Sequence, residues 1–147
     1  MPTLAVNKKA HHQYEILEKF EAGIELLGHE VKTVRAGRLS LVGSYVTLRG
    51  GQAWLLNSLI PKYAQAGPQP GYDPNRTRRL LLHKRELQRL AGKLEQKGLT
   101  LVPLSAYTKR SLIKIEFGLA RGKQQFEKRE SIKKRDLDRE IRRTVKY

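Results

Sequence analysis

The chain has 147 residues, with 30 Lys and Arg against 14 Asp and Glu, no cysteine and a formal charge of +16. That length supports one compact core, the missing cysteines exclude disulfides and thiolate metal centres, and so much like charge calls for an anionic partner. Nucleic acid fits better than a membrane surface, because no long apolar run, lipidation signal or aromatic-rich amphipathic helix accompanies the charge.

Met1 to His12 has no apolar h-region and moves at once into Asn7, Lys8 and Lys9, so it reads as the start of a cytosolic protein rather than a secretory signal. Tyr14, Ile16 and Phe20 fall on one side of an alternating segment, with Glu15 and Lys19 opposite, which predicts a half-buried strand. Ala22 and Gly23 are expected to turn the chain into a hairpin partner, Ile24 to Leu27. Glu30 to Ala36 predicts a short helix, acidic at its start, basic at its end and stopped by Gly37. Tyr45 to Leu48 and Ala53 to Leu56 are β-rich runs joined by Arg49, Gly50, Gly51 and Gln52, a hairpin signal. Pro61 to Pro74 has prolines and glycines without periodicity and reads as a loop.

Leu80 to Leu82 reads as a short buried run. Leu87, Leu90, Ala91 and Leu94 then mark one face of a helix that stops by Gly98. Leu99 to Tyr107, with Pro103 demanding a bend or an edge, and Leu112 to Phe117 predict two strands turning at Lys109, Arg110 and Ser111. Five or six short strands with a helix between strand groups point to a mostly β fold with added helices, an oligonucleotide-binding barrel over residues 1–122.

Residues 123–147 form a different kind of segment. From Arg121 to the end, eleven Lys and Arg face five Asp and Glu, and the few apolar residues cannot make a core. Such composition favours a basic tail, disordered when free. The pairs Glu130 with Lys134 and Asp138 with Arg142, and the stripe Leu137, Ile141 and Val145, predict that it becomes helical on binding.

Several clusters suit RNA. Asn7, Lys8, Lys9, His11, His12 and Tyr14 combine cations, imidazoles and an aromatic, as stacking on unpaired bases and holding phosphates require. Arg76, Arg78 and Arg79 form a basic knot whose guanidinium forks match phosphate oxygens. Lys114 alternates with Ile113 and Ile115, so the pleat puts it on the outer face of its strand. Glu21, expected at a turn, has two readings, a base-amino acceptor or a partner for a neighbouring lysine. Paired acids for two metals, a nucleophile elbow, a Walker loop and a dinucleotide fingerprint are all missing, and nothing calls for a cofactor.

Taken in order, Asn7-Lys8-Lys9-Ala10-His11-His12-Gln13-Tyr14, Phe20-Glu21-Ala22-Gly23, Glu30 to Gly37, Leu80-Leu81-Leu82-His83-Lys84-Arg85-Glu86 and Gly118-Leu119-Ala120-Arg121-Gly122-Lys123 resemble the SmpB family, partners of transfer-messenger RNA in bacterial ribosome rescue. The resemblance implies a barrel that clasps the tRNA-like domain of that RNA, supports its charging and its delivery with EF-Tu and GTP, and enters stalled ribosomes. By motif position it implies RNA contacts at Glu21, Leu81 and Lys114, with Asn7, His12 and Tyr14 on the same surface.

It further implies a tail that enters the decoding centre and the empty messenger channel. Gly122, Lys123 and Phe126 fall at its root, Lys128 and Arg129 complete most of an Asp-Lys-Arg triplet in which Glu127 replaces the aspartate, and Lys133, Lys134 and Arg135 continue its basic face. Glutamate is the poorer helix N-cap. Two other classes fit the composition: a general translation factor or ribosome-associated barrel protein, and an RNA-processing enzyme.

Overall fold

The computed structural model describes residues 2–63, 65 and 67–122. The tail expected over 123–147 lies outside them. The described chain runs β1 (Thr3–Val6), α1 (Lys8–Gln13), β2 (Tyr14–Ile24), α2 (Gly28–Arg35), β3 (Tyr45–Arg49), β4 (Gln52–Leu56), β5 (Arg78–Leu81), α3 (Lys84–Leu94), β6 (Leu99–Lys109) and β7 (Leu112–Gly122).

Every strand pairing is antiparallel. The order β6-β3-β4-β5-β2-β7 returns on itself through a β6–β7 ladder, so six strands close into a barrel and β1 is added outside β6. Closure removes the edges that a short-stranded sheet would expose. The turns follow the local chemistry: Gly50 and Gly51 take positive φ between β3 and β4, and Arg110 and Ser111 do the same between β6 and β7.

The barrel interior is filled from alternate positions, among them Phe20, Ala22, Val46, Leu55, Leu80, Leu101, Ile113, Ile115, Phe117 and Leu119, with Val34 of α2 and Leu90 of α3 packed onto them. Phe20 and Phe117 stack with centroids 5.6 Å apart. A second, smaller cluster of Ala10, Val102, Leu104 and Ala120, with Tyr14 and Ile16 against it, lies under α1.

Two bulges make this division. The β2–β7 register slips between Ile16 and Glu18, and the β6–β7 register slips between Pro103 and Ser105. An extra residue reverses which alternate side chains face inward. Ile16 therefore joins the outer cluster while Phe20 joins the interior, and the expected single face for Tyr14, Ile16 and Phe20 is corrected. The bulge after Pro103 is the bend that residue demands.

Three further expectations change. Ala22 and Gly23 do not turn the chain: β2 runs unbroken through them because β7 and β5 hold both its edges. Asn7 starts a helix, its Oδ1 accepting from the amide of Ala10, where no helix is expected from sequence. Leu80 to Leu82 is not uniformly buried; alternation on β5 leaves Leu80 inside and Leu81 45% exposed.

Candidate nucleic-acid interface

The outer face of β5, β2, β7 and β6 carries one continuous row. Leu81 pairs with Gly23, Gly23 with Lys114 and Lys114 with Tyr107. Glu21, two residues before Gly23 on β2, therefore shares this face. Above it lies a groove of about 880 Å³, with Glu21, Gly23, Leu81 and Lys114 in its lining, walled by Val31 and Arg35 of α2 and by Glu86 and Arg89 of α3. Arg35 donates to the carbonyl of Ser111 at 2.6 Å and so holds the end of α2 against the β6–β7 turn.

Glu21 accepts from the Tyr107 hydroxyl and from Lys109 Nζ at 3.2 Å. The Tyr107 bond, reinforced by Lys109, keeps its carboxyl below the usual range. Burial and the Glu21 carboxylate push the Tyr107 phenol up. At neutral pH the pair is thus a carboxylate held by a neutral phenol, with Lys109 beside it. A half-buried carboxylate can accept from amino groups, an ammonium can meet an anion such as phosphate, and an exposed leucine can cover a flat ring.

The other acidic centre is built for a different task. Glu30, fully buried at the start of α2, accepts from the Leu27 amide at 2.8 Å, from Tyr72 Oη at 2.9 Å, and from both Arg76 and Arg78. Arg78, also fully buried, reaches on to the carbonyl and hydroxyl of Ser58 at 3.0 and 3.1 Å and to the carbonyl of Pro74 at 3.1 Å. Burial opposes the charge on Glu30, but the donors from Arg76, Leu27, Arg78 and Tyr72 outweigh it and hold its pKa at about 2. Burial and Glu30 push the Tyr72 phenol up to about 12. The Tyr72 hydroxyl also lies 2.8 Å from the carbonyl of Ile60, so its one proton is shared between that oxygen and Glu30, which ties the Pro61 to Pro74 loop down at its far end.

A family model described as SmpB protein matches residues 4–147. The SsrA-binding protein of Gloeothece citriformis is 51% identical over 140 residues, covering 95% of this chain and 90% of its own. The SsrA-binding protein of Pseudomonas paraeruginosa is 52% identical over 145 residues, 99% of this chain and 91% of that one. This chain belongs to the SmpB family. A solved SmpB-family chain, described as "tmRNA-SmpB: a journey to the center of the bacterial ribosome", is 48% identical, covers 96% of both chains and superposes with a TM-score of 0.68.

The positions that the SmpB resemblance singles out, Glu21, Leu81 and Lys114, come together on this groove from three adjoining strands. Lys8, Lys9 and His12 are exposed on α1, and Tyr14 is half-buried beside it. These lie apart from the groove lining, at the end of β2 where Tyr14 pairs with Gly122. Asn7 is different: it is 4% exposed, and its amide donates to the carbonyls of Leu41 and Pro103. It joins α1 to the barrel from inside and does not present an amide to solvent.

The arginine knot also divides. Arg78 is sealed in the Glu30 network and unavailable to phosphate, Arg76 is largely committed to the same carboxylate, and Arg79 meets Glu25 at 3.3 Å near the surface. An acidic partner 48 residues away in sequence captured what local composition assigned to RNA. Tyr107 and Lys109 were missed in sequence. Their signal is the two-residue spacing on β6, with the buried Ala106 marking the opposite face. Lys123, Phe126, Lys128, Arg129, Lys133, Lys134 and Arg135 fall outside the described residues.

Proposed function

We propose that this chain binds transfer-messenger RNA in trans-translation and acts as a non-enzymatic adaptor. The observation that carries the reading is the convergence of Glu21, Leu81 and Lys114 on one groove in a chain of the SmpB family. Residues 1–122 hold the tRNA-like domain of the RNA. Lys114 contacts phosphate, Glu21 accepts from a base edge and Leu81 packs on the exposed face of a nucleotide. Lys8, Lys9, His12 and Tyr14 extend the contact around α1, and Asn7 positions that helix.

Residues 123–147 serve the ribosome. Gly122, Lys123 and Phe126 meet the decoding centre, Phe126 by stacking, while Lys128, Arg129, Lys133, Lys134 and Arg135 follow phosphates of the empty messenger channel on a helix that forms there. The complex with charged RNA travels with EF-Tu and GTP, in the cytoplasm. Among the described residues no helix is long and apolar enough to cross a membrane.

A competitive titration tests this: labelled transfer-messenger RNA, excess elongator tRNA, several salt concentrations. Tight binding that tRNA does not displace, with a steep salt dependence, is expected. Ready displacement by tRNA would overturn the assignment in favour of a general ribosome-associated RNA binder.

A further inference from the structure

Gly23 stands between Leu81 and Lys114 in the cross-strand row, inside β2 rather than at a turn. A glycine in a strand interior gives up packing and backbone order, so it marks either a backbone need or a close approach. Neither the backbone nor the fold needs this one. Its φ is not in the left-handed region, and the three heavy atoms nearest to an added Cβ all belong to Leu81, at 3.4 Å and beyond, which is ordinary contact. Gly118 shows the contrary case: a Cβ there would stand 2.8 Å from Ile16 Cγ2 and 3.3 Å from Leu104 Cδ1, so packing in the free protein demands that glycine.

We propose that Gly23 is the floor of a slot, one side chain wide, that seats a nucleobase of the bound RNA. The site reading above is its premise. Two strand spacings, about 10 Å, separate the flanking positions. On one flank Leu81 is a large apolar side chain left 45% exposed. On the other, Lys114 offers an ammonium to the phosphate of the same nucleotide, and Glu21, on the same face of β2, takes a base donor. A flat ring laid on bare backbone reaches Leu81 and Glu21 while its phosphate stays on Lys114; a side chain at position 23 would lift the ring off the first two and leave the phosphate contact in place.

The full chain carrying Gly23→Ala, Gly23→Val or Lys114→Ala is titrated with a transcript of the tRNA-like domain of transfer-messenger RNA, and its thermal midpoint is measured. Gly23→Ala is expected to keep or raise the midpoint and to weaken binding at least fivefold, and Gly23→Val to weaken it more. The salt slope should stay unchanged in Gly23→Ala, whereas Lys114→Ala lowers it by about one. Wild-type affinity in Gly23→Ala and Gly23→Val, with Lys114→Ala weakened, overturns the slot and leaves the groove standing. Wild-type affinity in all three variants overturns the groove as well. A lowered midpoint in Gly23→Ala overturns the slot too, because the glycine would then serve the free fold.

Discussion

Glu30 and Glu21 are both carboxylates with cationic and phenolic partners, yet one is sealed under α2 with two arginines and Tyr72, and the other sits half-exposed beside Tyr107 and Lys109. Glu30 accepts from the Leu27 amide just ahead of α2, from Tyr72 in the Pro61 to Pro74 loop, from Arg76 just beyond that loop and from Arg78 of β5. Glu21 leaves part of its carboxylate to the groove. In a protein of charge +16, an acid in the interior fastens elements, while an acid at a groove keeps acceptor capacity that the fold does not use. The composition of the two neighbourhoods is similar, and burial separates their roles.

Arg78→Ala should sharpen the contrast most. It takes the fully buried guanidinium away from Glu30, leaving Arg76, the Leu27 amide and Tyr72, and is expected to cost about 3 to 5 kcal/mol of stability, read from urea unfolding. A loss under about 1 kcal/mol would mean that the Glu30 network does not fasten the fold. Glu21→Ala should do the reverse. Its partners are partly solvated, so stability should change by less than about 1 kcal/mol, while RNA affinity falls about tenfold or more through loss of a charge-assisted bond. Unchanged affinity, or a large loss of stability, would erase the distinction between the two acids.

Acid is a gentler probe of the same contrast. Glu30 has a folded pKa of about 2 against an ordinary value of 4.5, so its contribution is fully present above the ordinary value. It drains away as pH falls through that value towards about 2, because the unfolded chain takes up the proton first. The stability gap between the native chain and Glu30→Gln should therefore narrow across that window. A gap that stays constant down to about pH 2 would show that the charge on Glu30 does not matter to folding.

Much of the barrel was legible because periodicity reports burial directly. The β3–β4 hairpin, α2, α3 and the β6–β7 turn stand where Gly50, Gly51, Glu30 to Gly37, the Leu87 to Leu94 spacing and Arg110-Ser111 put them. Bulges are less legible, since nothing local at Leu17 announces the slip that sends Ile16 outward and Phe20 inward. Gly23 reads as a turn in the sequence because strand interiors rarely carry glycine. Its neighbours across the sheet, Leu81 and Lys114, are far away in sequence. Local basic composition could not separate Arg78, captured by Glu30, from Lys114, left on the groove.

The most direct measurement is a contact map of the RNA on the body. A photocrosslinking residue is placed at Leu81 in the groove, or at Gln88 on the other flank of α3, where the chain lines a separate crevice with Leu48 and Arg49. With the tRNA-like domain of transfer-messenger RNA, position 81 should give an adduct that excess elongator tRNA does not suppress, and position 88 should give none. An adduct at 88 without one at 81 would contradict the groove as the RNA site.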